Sequence, residues 1–270
     1  MCEFCTQHGE GQKWYLNIRN YSREMGEQMG SEAFLEHFMA RFEEQYGKEQ
    51  ISKLDTIVHK PDMSRVVRRL AVRQQKADHW GQVVPIEEME KIIDMQDSIV
   101  RLPCVCRQLT TGREARYCFG VGMVDPRGLL GKYPDYAQGL EVMEKDEAKK
   151  LLRSFDKQGM VHSVWTFKTP FIGGICNCDQ DCLAYRINVK AQLTQTMFRA
   201  EYVALVDWDA CTGCKKCLLN CQFGAIHYSN TMKRPTVNAM VCYGCGVCRA
   251  VCEHGAIALK PRTDFVGLPW

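Results

Sequence analysis

Apolar residues recur at helical spacing along much of the chain. Between residues 31 and 46, Phe34, Leu35, Phe38, Met39 and Phe42 fall at i, i+1, i+4, i+5 and i+8, with Ser31 as N-cap and Gly47 as stop. That pattern predicts a helix with a core-facing stripe. From Met63 to Lys76 a second helix is expected, with Val66, Val67, Leu70 and Ala71 towards one side and Arg65, Arg68, Arg69, Arg73 and Lys76 sharing the other. A third runs from Pro85 to Gln96, with proline at the first turn and acidic residues behind it, where the helix dipole favours them. Lys145 to Lys157 turns Ala148, Leu151, Leu152 and Phe155 inward. It runs out at Gly159-Met160-Val161-His162 and leads into a strand through Val164, Trp165 and Phe167. Met197 to Val206 reads as one further strand.

After that strand the periodicity gives way to a repeat. Cys211, Cys214, Cys217 and Cys221 recur at Cys242, Cys245, Cys248 and Cys252, an offset of 31 residues that also superposes Val206 on Val237 and Gly224-Ala225-Ile226 on Gly255-Ala256-Ile257. This is the C-x2-C-x2-C-x3-C run of bacterial iron–sulfur proteins, doubled. Three thiolates two residues apart let a tight loop wrap three corners of one cubane. The fourth cysteine is expected to start a helix that carries it to the other cluster. One 4Fe-4S cluster is therefore assigned to Cys211, Cys214, Cys217 and Cys252, and a second to Cys242, Cys245, Cys248 and Cys221. Disulfides or structural zinc are the competing readings, and neither explains the three-residue gap in both copies. The stretch resembles the bacterial two-cluster ferredoxin domain, with Gln222 and Glu253 where that family usually has proline.

Eight of the sixteen cysteines remain. Cys2, Cys5 and His8 form C-x2-C-x2-H, whose two thiolates and imidazole suit a metal; frayed free thiols are the alternative. Cys104, Cys106, Cys118, Cys176, Cys178 and Cys182 are spread over segments rich in glycine, read as loops that a small α/β unit would bring together. Six thiols of this kind point to a third iron–sulfur site, ahead of zinc or a redox dithiol. Arg107, directly after Cys106, is placed to stabilise cluster charge or bind an anion, and His162 to ligate iron or donate to a cluster sulfur.

Composition bounds this picture. Hydrophobic content of 46% and charge of 25% are ordinary for a globular chain of 270 residues. With no secretory segment and no long apolar run, the cysteine load is read as reduced, metal-loaded and cytoplasmic, without membrane insertion. The formal charge of +3 falls to near neutral or slightly acidic once each cubane adds roughly −2. Charge alone therefore makes no case for nucleic acid. The basic 63–76 helix followed by His79 to Val84 admits a winged-helix reading, but a solvated face or a dock for an acidic redox partner is preferred, and nucleic acid is not the expected partner.

The expected architecture is α+β in three parts: a helical region over 1–98, a cysteine module over 99–195 and a ferredoxin unit over 196–270. From residue 80 onward the layout resembles a group of anaerobes' 4Fe-4S ferredoxin-type proteins. The match is carried by Pro103-Cys104-Val105-Cys106-Arg107, Cys118 to Gly122, Gly159 to His162 and Ile175 to Cys182; Asp179 and Asp181 stand where that segment is often richer in cysteine. The resemblance implies an electron-transfer component serving a redox partner or larger oxidoreductase. A ferredoxin-dependent reductase with its centre at the six cysteines, and a redox-sensing DNA-binding regulator, are the competing expectations. No G-x-G-x-x-G after a strand and no P-loop marks a nucleotide site.

Overall fold

The computed structural model describes residues 2–45, 65–122, 140–192 and 195–269, with the side chains of 39–45 and 65–68 left aside. Gly47, Met63 and the side chains of Met39, Phe42, Arg65, Val66, Val67 and Arg68 thus lie outside the described part.

The chain begins with α1 (Glu3–His8), α2 (Arg23–Met29) and α3 (Ser31–Gln45). Ser31 does not cap α3. Instead Ser22 caps α2, its Oγ accepting from the Met25 N–H at 3.2 Å, and Gly30 closes α2 in the left-handed conformation (φ 64°) before α3 starts at once. Glycine serves there because a Cβ disfavours that backbone. Next come α4 (Arg65–Asp78), β1 (Gly81–Val83) and α5 (Ile86–Asp94). Pro85 stands at the N-cap of α5, fixing the turn that swings it off the strand.

The middle of the chain supplies β2 (Ile99–Leu102), α6 (Val105–Thr111), β3 (Cys118–Val121), β4 (Glu141–Val142), α7 (Lys145–Lys157), β5 (Val161–Thr166) and β6 (Ile172–Cys178). A short helix, α8 (Leu183–Tyr185), and β7 (Met197–Phe198) follow. One sheet in the order β4-β2-β3-β6-β5-β1-β7 joins these strands, antiparallel except where β1 meets β7. Strands from residues 81–83 and 197–198 thus share the sheet of the 99–195 segment. On one face Met89, Ile92, Ile93, Leu152 and Phe155 from α5 and α7 pack against Phe119, Val164 and Ile175. On the other, Val83, Val161 and Trp165 meet Ala200, Phe223 and Val247, so the last part of the chain forms the second cover.

That last part holds β8 (Tyr202–Val206), α9 (Lys216–Leu219), a hairpin of β9 (Ile226–Ser229) and β10 (Arg234–Val237), α10 (Val247–Ala250) and β11 (Ile257–Pro261), which pairs antiparallel with β8. The single strand expected over 197–206 divides between two sheets. Its break is fixed by the Arg199 carbonyl accepting from Gln82 Nε2 at 3.0 Å and the Ala200 N–H donating to the Tyr243 carbonyl at 2.9 Å. Backbone groups claimed by those partners cannot continue one ladder. The whole is an α+β arrangement with a ferredoxin-like C-terminal part. Among the described residues no helix is long and apolar enough to cross a membrane.

Candidate functional site: three groups of cysteines

The doubled run folds twice in the same way. Gly213 and Gly244 (φ 73° and 66°), Lys215 and Gly246 (66° and 88°), and Gly224 and Gly255 (65° and 61°) adopt matching left-handed backbones. The Gly213 N–H donates to Cys211 Sγ at 3.4 Å and the Gly244 N–H to Cys242 Sγ at 3.3 Å, so each loop aims its peptide dipoles at sulfur. A Cβ on Gly244 would sit 2.1 Å from the Tyr202 carbonyl oxygen, and one on Gly213 2.5 Å from that of Lys233. Glycine is required at both for close approach as well as for φ. The fourth cysteines differ from expectation in one respect. Cys221 and Cys252 follow the short helices α9 and α10 rather than starting them, because α9 and α10 already begin within each loop, at Lys216 and Val247.

Each loop closes on a cavity. One is lined by Cys211, Cys214, Cys217 and Cys252 against Val206 and Ile257. The other is lined by Cys221, Cys242, Cys245 and Cys248 against Phe223 and Tyr243. The structure therefore groups the thiols with the fourth cysteine crossed between halves. The two cavities differ in access. Cys214 is exposed and Leu219 is 81% exposed, so the first lies at the surface, beside Lys215 and Lys216. Around the second, Cys242 and Cys248 are buried, and Phe223 stacks on Tyr243 with centroids 3.9 Å apart. Burial pushes the Cys245 and Cys248 thiols up from their ordinary range.

A buried cation stands beside this second cavity. Arg262 is 1% exposed and donates to the carbonyls of Ala200, Tyr202, Cys242 and Pro269 at 2.8–3.2 Å. Desolvation lowers its pKa to about 10, opposed by attraction to Cys242 and Glu201. Its hydrogen bonds go to neutral carbonyls, so its charge is free to act on Glu201 and on the Cys242 side of the cavity, where the thiolates around a 4Fe-4S cluster would add negative charge. The donor set, the N–H···S bonds and this fixed charge all fit that group.

The six cysteines of the middle segment also come together, but only Cys182 lies in a turn and Cys104 at a helix cap; the others lie within or at the edge of regular elements. Cys104 caps α6, Cys118 opens β3, and Cys176 and Cys178 lie within β6. Alternation along β6 puts Cys176 and Cys178 on one face and Asn177 on the other. Cys104 and Cys118 are 3.4 Å apart at sulfur, and Cys118 and Cys176 3.9 Å. Hydrogen bonding continues the chain through Cys178 to Cys182, and Cys106 lies close enough to feel the charge of Cys182 and Cys118. Hydrogen bonding with Cys104 and Cys176 holds the Cys118 thiol well below the usual range, while Cys104, Cys176, Cys178 and Cys182 are pushed up by hydrogen bonding with their neighbours and by burial. Such a strip of sulfur is poised to lose protons to a metal.

Arg107 reaches this strip, with Nη2 3.7 Å from Cys182 Sγ. It is gripped by Asp179 at 2.8 and 3.1 Å and Asp181 at 3.4 Å, and lies over the Tyr117 ring. The two acids leave it little capacity for an anionic substrate; it fastens the 179–182 turn to α6. His162 stands on the face away from the thiols, with Nδ1 2.6 Å from Asn177 Oδ1 and Nε2 3.6 Å from Asp156. The structure brings it to Asn177 between two cysteines, not to sulfur.

At the N-terminus, Cys2 and Cys5 are 3.0 Å apart at sulfur and buried. His8 does not join them. It packs on Phe4 with ring centroids 5.6 Å apart, and burial lowers its pKa. Glu201 takes the third place, its Oε1 accepting from Cys5 Sγ at 3.1 Å and from the Cys2 N–H at 3.3 Å. Sequence reasoning missed it because the partner lies almost two hundred residues away. Its one local signal was a carboxylate inside an apolar run.

Among curated proteins none matches this chain. Residues 210–256 match the family described as 4Fe-4S dicluster domain, which supports 4Fe-4S binding and iron–sulfur electron transfer for the stretch that carries the doubled cysteine run.

Proposed function

We propose that the protein is an electron-transfer component, relaying single electrons through two 4Fe-4S clusters and a third iron–sulfur cluster held by the middle cysteines, on behalf of a redox partner or larger oxidoreductase. Cys211, Cys214, Cys217 and Cys252 would hold the outer cluster, and Cys242, Cys245, Cys248 and Cys221 the inner one. The third takes its ligands from Cys104, Cys106, Cys118, Cys176, Cys178 and Cys182. When bound, each cluster supplies a one-electron centre. The rest is done by the chain. Residues 196–270 act as the two-cluster unit, Phe223 and Tyr243 shield the inner site from water, and Arg107 ties down the turn that carries Cys182.

The observation that carries this reading is a single apolar patch. Cys176 of the middle group packs against the same buried cluster as Cys221 and Cys245 of the inner cavity, with Phe223, Val161 and Val247 between. Tyr185, just after Cys182, donates its hydroxyl to the Gln222 carbonyl, next to Cys221. This shared apolar patch supports a path between the inner cavity and the middle cysteines.

Iron and acid-labile sulfide on anaerobically purified full chain test it. About 12 iron per chain is expected, falling to about 8 in the Cys118→Ser, Cys178→Ser double variant with the reduced two-cluster EPR signal kept. About 8 iron in both proteins removes the third cluster.

A further inference from the structure

We propose that Cys2, Cys5 and Glu201, with the side-chain carbonyl of Gln82, form a mononuclear zinc site that staples the N-terminus to the start of the two-cluster unit.

The thiols of the other groups are strung out, as a polynuclear centre with one thiolate per iron demands. Here the three ligand atoms all lie within 4.8 Å of one another. The separations are 3.0 Å between Cys2 and Cys5 sulfurs, 3.1 Å from Cys5 Sγ to Glu201 Oε1 and 3.9 Å from Cys2 Sγ to Gln82 Oε1. A tetrahedral zinc with Zn–S of about 2.3 Å and Zn–O of about 2.1 Å has edges of about 3.6–3.8 Å. The two shorter separations are those of hydrogen bonds made by thiol protons. Replacing those protons by the ion opens the Cys2–Cys5 pair by about 0.8 Å and the Cys5–Glu201 pair by about 0.5 Å to the required edges.

Charge gives a second argument. Cys2, Cys5 and Glu201 are 3%, 1% and 6% exposed. Three acidic groups confined there without a cation must keep their protons or repel one another. Two thiolates and one carboxylate around a divalent ion leave one net negative charge, and attraction between Arg262 and Glu201 offsets part of it. Gln82 is set up as a donor. Its Nε2 is held by the Arg199 carbonyl, and Trp14 Nε1 donates to its Oε1 at 2.5 Å, leaving the second lone pair of that oxygen free to face Cys2. Four donors and complete burial describe a closed structural site rather than a catalytic one. Two sulfurs and two oxygens suit zinc better than magnesium or calcium.

Metal analysis of the full chain tests this independently of the clusters. One zinc per chain is expected, lost in Cys5→Ser and reduced severalfold in Glu201→Gln, while iron and labile sulfide stay at wild-type levels. Zinc should remain in the Cys118→Ser, Cys178→Ser protein. Cobalt exchanged into the wild type should give tetrahedral d–d bands, so the idea stays testable even where a variant fails to fold. Three outcomes overturn it: wild-type protein that holds no zinc and takes up no cobalt, zinc that follows the middle cysteines, or a Cys2–Cys5 disulfide found by alkylation and mass spectrometry.

Discussion

At the scale of single residues, the doubled run separates two demands that glycine meets. Gly244 is left-handed, and a Cβ there would meet the Tyr202 carbonyl at 2.1 Å; Gly255 is left-handed with nothing within 4 Å of that Cβ. Alanine at Gly255 should cost about 1 kcal/mol for conformation alone. Alanine at Gly244 adds displacement of β8 and should cost on the order of 3 kcal/mol or more. Anaerobic thermal unfolding checks this, with the Gly244→Ala midpoint expected well below that of Gly255→Ala; equal midpoints would show that the loop yields freely. Arg107 makes a different demand. Asp179 is 23% and Asp181 47% exposed at the side chain, so the pairs are part-screened and Arg107→Met should cost roughly 1–3 kcal/mol. Its distinctive effect would be on metal content. With the 179–182 turn released, iron at the middle site should fall while the other sites keep theirs, and Arg107→Lys should restore only part because it lacks the planar fork.

At the scale of elements, what the sequence made legible was what local physics decides. The helix expected over 145–157 is α7 residue for residue, because an apolar stripe, acids at the start and a glycine just past the end all agree. The thiols lining each cavity include the fourth cysteine of the other half, the grouping that the doubled C-x2-C-x2-C-x3-C pattern leads one to expect. Three features were hidden. Cys176 and Cys178 were expected on a loop, since the glycines before them read as turn residues. In the sheet Gly173 is there because Phe167 leaves no room, a Cβ on it falling 2.5 Å from the ring. The break between β7 and β8 depends on Gln82 and Tyr243, both remote in sequence. The exchange of His8 for Glu201 follows from where α1 docks, which no local pattern records. Helical spacing put His8 in reach of Cys5, yet tertiary packing turned it onto Phe4.

At the scale of the molecule, the two ferredoxin cavities sit in unlike electrostatic surroundings, and this predicts unlike potentials. Adding an electron to a cluster adds negative charge, which burial penalises and nearby cations reward. The outer cavity has exposed Cys214 and the ammonium groups of Lys215 and Lys216 at its rim. Those charges are in water, and Lys216 is already paired with Glu253 at 2.5 Å. The inner cavity is walled by Phe223 and Tyr243, and its compensation comes from Arg262, which is out of water and fixed by carbonyls. Lys216→Gln should therefore lower the outer potential slightly, by an amount that fades as salt is raised through the range where the Debye length falls to about 3 Å. Arg262→Gln should lower the inner potential by on the order of 50 mV or more with little dependence on salt, since the lost charge acted through a medium of low polarisability. Arg262→Lys keeps the charge and should sit between the two, which separates electrostatics from packing. Redox titrations followed by EPR at low and high salt read both effects. A salt-sensitive shift for Arg262→Gln would mean that water reaches the inner site and that Phe223 and Tyr243 do not shield it.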